Sequence, residues 1–123
     1  MILTIYGRLP GLNDYTLRCR QNRFAGAKMK KDAEELIRGY IMSQRIPHFD
    51  KAVELNFSWY EPNSRRDLDN IAFAKKFVID ALVETGVIKS DGWKGVTGFT
   101  DSFYIDKSNP RIEVEIREAE CRN

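Results

Sequence analysis

A chain of 123 residues with 42% hydrophobic and 31% charged content has the length of one domain and enough apolar side chains for a core without disulfide or metal staples. No apolar run approaches the ~20 residues of a membrane span, and no stretch is repeated or low in complexity, so a single unit over residues 1–123 is expected. The net charge of +2 hides an uneven distribution: residues 16–31 hold Arg18, Arg20, Arg23, Lys28, Lys30 and Lys31 and no acid, the pattern of a surface that meets a polyanion.

Cys19 and Cys121 lie far apart and fit no Cys-x-x-Cys pattern, and the N-terminus is not signal-like. Free thiols in a reducing cytoplasm are expected, with a bridge between the two ends as the alternative.

Residues 2–9 alternate as a first strand, which Pro10-Gly11 and Asn13-Asp14 break. A basic loop is expected to about Ala25. Residues 28–44 read as a helix, with Ala33, Leu36, Ile37, Tyr40 and Ile41 at helical spacing. Residues 46–50 connect it to the clearest strand, residues 51–60. There Val53, Leu55, Phe57 and Trp59 alternate with Glu54, Asn56, Ser58 and Tyr60. After a loop at 61–64, a second helix starts near Asn70 and runs to about Glu84, with Gly86 as its stop. Its buried stripe is Ile71, Ala74, Val78, Ala81 and Leu82. Residues 96–105 are a weaker strand, and residues 111–117 alternate Ile112, Val114 and Ile116 with Glu113 and Glu115. The five-residue turn at 106–110 makes these two read as a hairpin. The order β-α-β-α-β-β predicts an α/β (α+β) fold of two layers, a mixed sheet covered by two helices.

Residues 65–70 read Arg-Arg-Asp-Leu-Asp-Asn and join the clearest strand to the second helix. In an extended approach to a helix, side chains two apart point the same way, so Asp67 and Asp69 can meet one ion. Paired carboxylates suit a hard divalent cation, which takes oxygen ligands and keeps waters for a substrate. Arg65 and Arg66 beside them suit a phosphate. The competing reading is a helix cap by Asp69 or Asn70; it accounts for one acid and leaves Asp67 and the arginines unexplained.

Asp91, in Ser90-Asp91-Gly92, is either an ordinary turn residue or a third ligand. The intervening helix is ~20 Å long, so Asp91 reaches Asp69 only if the chain doubles back or a second subunit supplies it. Lys76 and Asp80 lie two and three turns beyond Asp69, on its face. At ~16 Å, Asp80 is too far to bind the same ion and is expected to pair with Lys76 at i, i+4. Lys76, at ~10 Å, could lean toward a phosphate. The sole histidine, His48, falls in an Ile-Pro-His-Phe turn and reads as a surface-loop residue. Trp59, Trp93 and Phe99 read as core or interface, with base stacking as the less common role.

Arg65-Arg66-Asp67-Leu68-Asp69-Asn70, followed by Asp80-Ala81-Leu82, Gly86 and Asp91, resembles the RusA family of Holliday junction resolvases, over the whole chain. The resemblance implies a small homodimeric endodeoxyribonuclease. It would bind four-way DNA junctions and use Mg²⁺, or Mn²⁺ in its place, to make paired nicks in recombination and repair. It implies Asp67, Asp69 and Asp91 as metal ligands and, counting back from Asp80, Lys76 as the catalytic lysine. Counting forward from Asn70 puts Phe73 in that place, because this helix carries extra residues, and Lys75 is the neighbouring substitute. The family's second acid near Asp91 is Ser90 here. Asn13 matches an asparagine after the first strand, near the DNA or the site.

The expected reaction is phosphodiester hydrolysis, with metal on the aspartates polarising the phosphate and acidifying a water. Lys76, or Arg65 and Arg66, would offset the transition-state charge. Arg18, Arg20, Arg23, Lys28 and Lys30 would grip the DNA backbone. The alternatives are a metal-dependent nuclease preferring flaps or forks, and a junction-binding protein that does not cut. Asp-x-Asp also occurs in nucleotide-sugar transferases and haloacid-dehalogenase-type phosphatases, which need a larger Rossmann-like sheet than this chain offers.

Overall fold

The strict alternation of Val53, Leu55, Phe57 and Trp59 is realised as a strand with one face wholly buried. In the computed structural model, which describes residues 1–119, this strand is β2 (Val53–Glu61). Cys121 lies outside the described residues; Cys19 is a free, exposed thiol. The other strands are β1 (Ile2–Tyr6), β3 (Val96–Ile105) and β4 (Arg111–Glu118). The helices are α1 (Leu12–Gln21), α2 (Arg23–Ser43), α3 (Leu68–Ala72) and α4 (Lys75–Glu84). The architecture is α+β, a four-stranded mixed sheet in the order β1-β4-β2-β3 with helices on one face.

That order corrects the expected hairpin. β3 pairs parallel with β2, and β4 pairs antiparallel with both β2 and β1. The turn at 106–110 therefore passes over the end of β2, where the Asp106 amide donates to the Glu61 carbonyl at 2.7 Å. Burial explains the placement. Ile112, Val114 and Ile116 are all buried and need neighbours on both sides, whereas Phe99 and Ile105 stay 54% and 60% exposed, as an edge strand permits. Loop length alone suggested a hairpin; it carries no information about which strand lies between.

The covered face packs Leu3 and Ile5 of β1, the β2 and β4 rows, Ala33, Ile37 and Ile41 of α2, and Phe77, Val78, Ala81 and Leu82 of α4 into one core. Each fully buried large side chain contributes about 1.5–3 kcal/mol. Gly86 stops α4 as expected: its φ of 77° is left-handed, and the Val87 amide returns to the Leu82 carbonyl at 2.9 Å.

Two helical segments differ from the expectation. The basic loop is helical: α1 has no buried residue, so its sequence lacks the apolar periodicity that reveals a helix. Asn22 separates α1 from α2, its side chain accepting from the Phe24 and Ala25 amides at 2.9 and 2.8 Å. Gly26 lets the two helices approach, since a Cβ there would stand 2.5 Å from the Cys19 sulfur. The second expected helix is broken in two. The amides of Ala74, Lys76 and Phe77 each bond the carbonyl three residues back, a tightened turn that joins α3 to α4. The tightening shifts the helical phase, so straight-helix arithmetic from Asp69 no longer assigns faces beyond Phe73.

Candidate active site

Asp67 is the N-cap residue of α3, with extended φ and ψ of −68° and 156°, but its side chain makes no capping bond. Asp69 sits in the first turn, and one of its oxygens accepts the Asn70 amide at 3.0 Å. Both side chains are exposed. Capping therefore leaves both carboxylates largely unspent, and the N-terminal end of a helix favours their negative charge.

Asn70, the last residue of the motif, is buried, and its side-chain oxygen accepts the Asn13 amide at 2.9 Å. This ties α3 to the start of α1. Gly11 makes room for it: a Cβ there would stand 2.5 Å from the Asn70 oxygen. Asn13 thus meets the site through its backbone amide, while its side chain faces outward at an exposed position.

Arg65 and Arg66 divide. Arg65 is exposed. Arg66 is committed to Glu61, with Nε and Nη2 donating to the two carboxylate oxygens at 3.0 Å each and Nη1 donating to the Leu9 carbonyl at 3.1 Å. Arg8 adds a third contact to Glu61 at 3.0 Å. Glu61 is only 5% exposed. It falls on the inward parity of β2, after Val53, Leu55, Phe57 and Trp59. Sequence reasoning passed over it, yet an acid at an inward position demands a cationic partner. The Glu61–Arg66 fork fixes the loop that carries Asp67.

The two lysines also divide. Lys75 points at the sheet: its ammonium pairs with Asp101 at 2.6 Å and lies 3.8 Å from the Phe99 ring centre. Asp101 also accepts from the Trp59 indole at 2.9 Å. Lys76 is exposed and pairs with Asp80 at 3.1 Å, the expected i, i+4 contact, and with Asp91 at 3.6 Å. The hydrogen bond to Asp80 is the main cause holding its pKa above the ordinary lysine value, against the pull of burial. Asp80 is shared, since Lys30 reaches its other oxygen at 3.5 Å.

Asp91 therefore stands beside Lys76 and Asp80. Among the described residues no group of three or more His, Cys, Asp or Glu side chains is placed to hold a metal ion, so one chain does not gather the three aspartates into a single donor set. Asp67 and Asp69 remain as two exposed carboxylates, the donor type that a hard cation takes while it retains several waters.

Several of the basic residues line neighbouring pockets. One of about 520 Å³ has Arg8, Arg18, Lys28 and Asp32 around an apolar floor that includes Leu9, Met29 and Leu36. A second, of about 440 Å³, shares Arg8 and Pro10 and adds Arg65 and Arg66. A third shares Arg66 and Asn63 and reaches Asp67 and Leu68. Arg20 and Arg23 are exposed nearby in sequence, and Arg23 lies over the Phe24 ring at 4.9 Å. Lys28 pairs with Asp32 at 2.7 Å, and Lys30 faces Glu34 and Asp80. His48 staples two loops, through the Gly86 carbonyl and Asp50. No helix among the described residues is long and apolar enough to cross a membrane.

Exposed carboxylates with an exposed arginine beside them suit chemistry on a phosphodiester. The profile of the family described as Endodeoxyribonuclease RusA matches residues 12–117. The chain belongs to the RusA endodeoxyribonuclease family, and is a hydrolase acting on DNA. A comparison with curated proteins gave no match.

Proposed function

We propose that the protein is a single-domain, Mg²⁺-dependent resolvase that cuts four-way DNA junctions in recombination and repair, working as a homodimer in the cytoplasm. The observation that carries this reading is the exposed Asp67 and Asp69 at the start of α3, with exposed Arg65 just before them and Arg8, Arg18, Arg65 and Arg66 lining the neighbouring pockets. They give a DNA backbone cationic contacts close to carboxylates that a cation can use.

In this reading Asp67 and Asp69 hold the cation, which when bound polarises the scissile phosphate and lowers the pKa of a water. Arg65 meets a phosphate directly. Arg66 acts through Glu61 by holding the loop in place. Lys76 remains protonated and offsets charge developing on the phosphate oxygens. Arg18, Arg20, Arg23, Lys28 and Lys30, with Asn13, position the strand. A symmetric dimer supplies the two active sites that paired nicks require and brings the Asp91 of one subunit to the Asp67–Asp69 pair of the other.

The test uses synthetic four-way junctions, flaps and duplex, with Mg²⁺, Mn²⁺ or EDTA, and compares the wild type with Asp69→Asn. Junctions should be cut with either metal and not in EDTA. The variant should bind them with unchanged affinity and lose cleavage by a factor of ~10³ or more. Cutting in EDTA, or equal cutting of flaps and duplex, would sink the reading.

A further inference from the structure

Trp93 is the most exposed large apolar side chain among the described residues, at 84%. It stands on the turn between α4 and β3, two residues after Asp91 and one before Lys94. Trp59, by contrast, is buried, stacked on Phe57 and hydrogen-bonded to Asp101. Trp93 is therefore not spent on the fold. It lines a groove of about 270 Å³ together with Phe99, Asp91 and Ile79. Phe99 is itself 54% exposed and carries the Lys75 ammonium over its ring.

Exposed aromatic side chains with exposed lysines on the same turn are what an unstacked nucleobase and its phosphate recognise. The surroundings favour DNA over a second copy of this chain. Lys89 and Lys94 are exposed on the same turn, and Lys76 is exposed beside Asp91. Two copies that met turn to turn would set Lys89 and Lys94 of one against those of the other, whereas a DNA strand would neutralise them; the dimer proposed above brings this turn to the other copy's Asp67–Asp69 end instead, where the same DNA strand runs.

We infer that Trp93 and Phe99 form a stacking subsite for one unpaired base of the DNA, beside Asp91. A branch point is where a duplex substrate has bases that can leave the stack at low cost. The subsite rests on the junction reading above and adds to it a reason for preferring branched DNA to duplex. Duplex offers the groove no free base, so the subsite contributes to junction affinity alone.

The test is binding with metal withheld, so that strands stay intact, for wild type, Trp93→Ala and Trp93→Phe, on a four-way junction and on matched duplex. Tryptophan emission of the wild type should be quenched by junction and not by duplex. The quenching should vanish in Trp93→Phe, where only Trp59 emits. Trp93→Ala should weaken junction binding roughly 10- to 100-fold, the weight of one aromatic–base stack. Duplex affinity and melting temperature should not change, and Trp93→Phe should recover most of the junction affinity. A junction-preferring wild type with an unaffected Trp93→Ala overturns the subsite alone. A wild type that binds junction and duplex alike overturns the junction reading and the subsite together. Emission that shifts with protein concentration in the absence of DNA and is then unmoved by junction assigns Trp93 to the contact between copies and also overturns it.

Discussion

Removing Arg66 tests the separation of the two arginines most directly. Its guanidinium makes two bonds to Glu61 and one to the Leu9 carbonyl, and its side chain is 16% exposed. Arg66→Ala would leave the 7%-exposed Glu61 carboxylate with Arg8 as its remaining cation. Breaking a buried pair from one side costs about 3–5 kcal/mol. The Arg8 contact keeps part of that, so a loss of about 3 kcal/mol is expected, or ~12 °C in melting temperature for a domain of this size. Replacing both partners with apolar residues, Glu61→Met with Arg66→Met, removes the uncompensated charge and should restore most of the stability. In that double variant the slope of log affinity for DNA against log salt should match the wild type, because the proposed role of Arg66 is to hold the loop and leave the phosphate to Arg65. Arg65→Ala should leave stability within about 0.5 kcal/mol and flatten the slope by about 1. Denaturation curves and salt titrations measure both. A double variant as unstable as Arg66→Ala, or one with a flattened slope, would refute the assignment of Arg66 to positioning.

Other outcomes follow from the same contacts. Lys75→Ala should destabilise the fold by about 2 kcal/mol, since it strips the half-buried Asp101 of its cation, whereas Lys76→Ala should change stability by less than about 0.5 kcal/mol and slow cleavage instead; equal effects on melting would contradict the division. Mixing Asp69→Asn with Asp91→Asn protein should restore part of the cleavage, because one site in each mixed dimer keeps all three aspartates. No recovery would place Asp91 in the same subunit as its partners. Glu34 is buried between α2 and α4 with one oxygen unbonded, and burial is the main cause raising its pKa, with Glu84 adding to it. A raised folded-state pKa means that the stability tied to the neutral acid is present below the ordinary glutamate value, about 4.3, and is lost as pH rises through the folded value. Glu34→Gln should accordingly be more stable than wild type at neutral pH, with the gap closing toward acid; a gap that widens on acidification would refute the sign.

The elements legible in the sequence were those whose residues carry the signal themselves. β2 and β4 alternate cleanly because one face of each is core, and α2 and α4 show apolar stripes for the same reason. α1 was not legible, since a helix that buries nothing has no stripe, and its arginines read as loop. The acidic motif was legible as chemistry, but the division of labour inside it was not. Arg65 and Arg66 are identical letters, as are Lys75 and Lys76, and only the fold turns one of each pair inward. Glu61 shows the limit from the other side. The strand expected from the sequence ends at Tyr60, which leaves Glu61 in a loop; the structure extends β2 through Glu61 and turns it inward, and its partner lies across a loop whose path the sequence does not state.

By itself, then, the sequence determined the strand and helix periods, the Asp67–Asp69 pair and the basic stretch, because each is a local pattern of residue types at fixed spacing. Only the tertiary structure decided that β4 lies between β1 and β2, that the helix after Asp69 breaks at Phe73, and that Asp91 pairs with Lys76. Those are long-range choices, set by which apolar faces bury most completely and which buried charges find partners. Neither quantity exists until the chain is closed on itself.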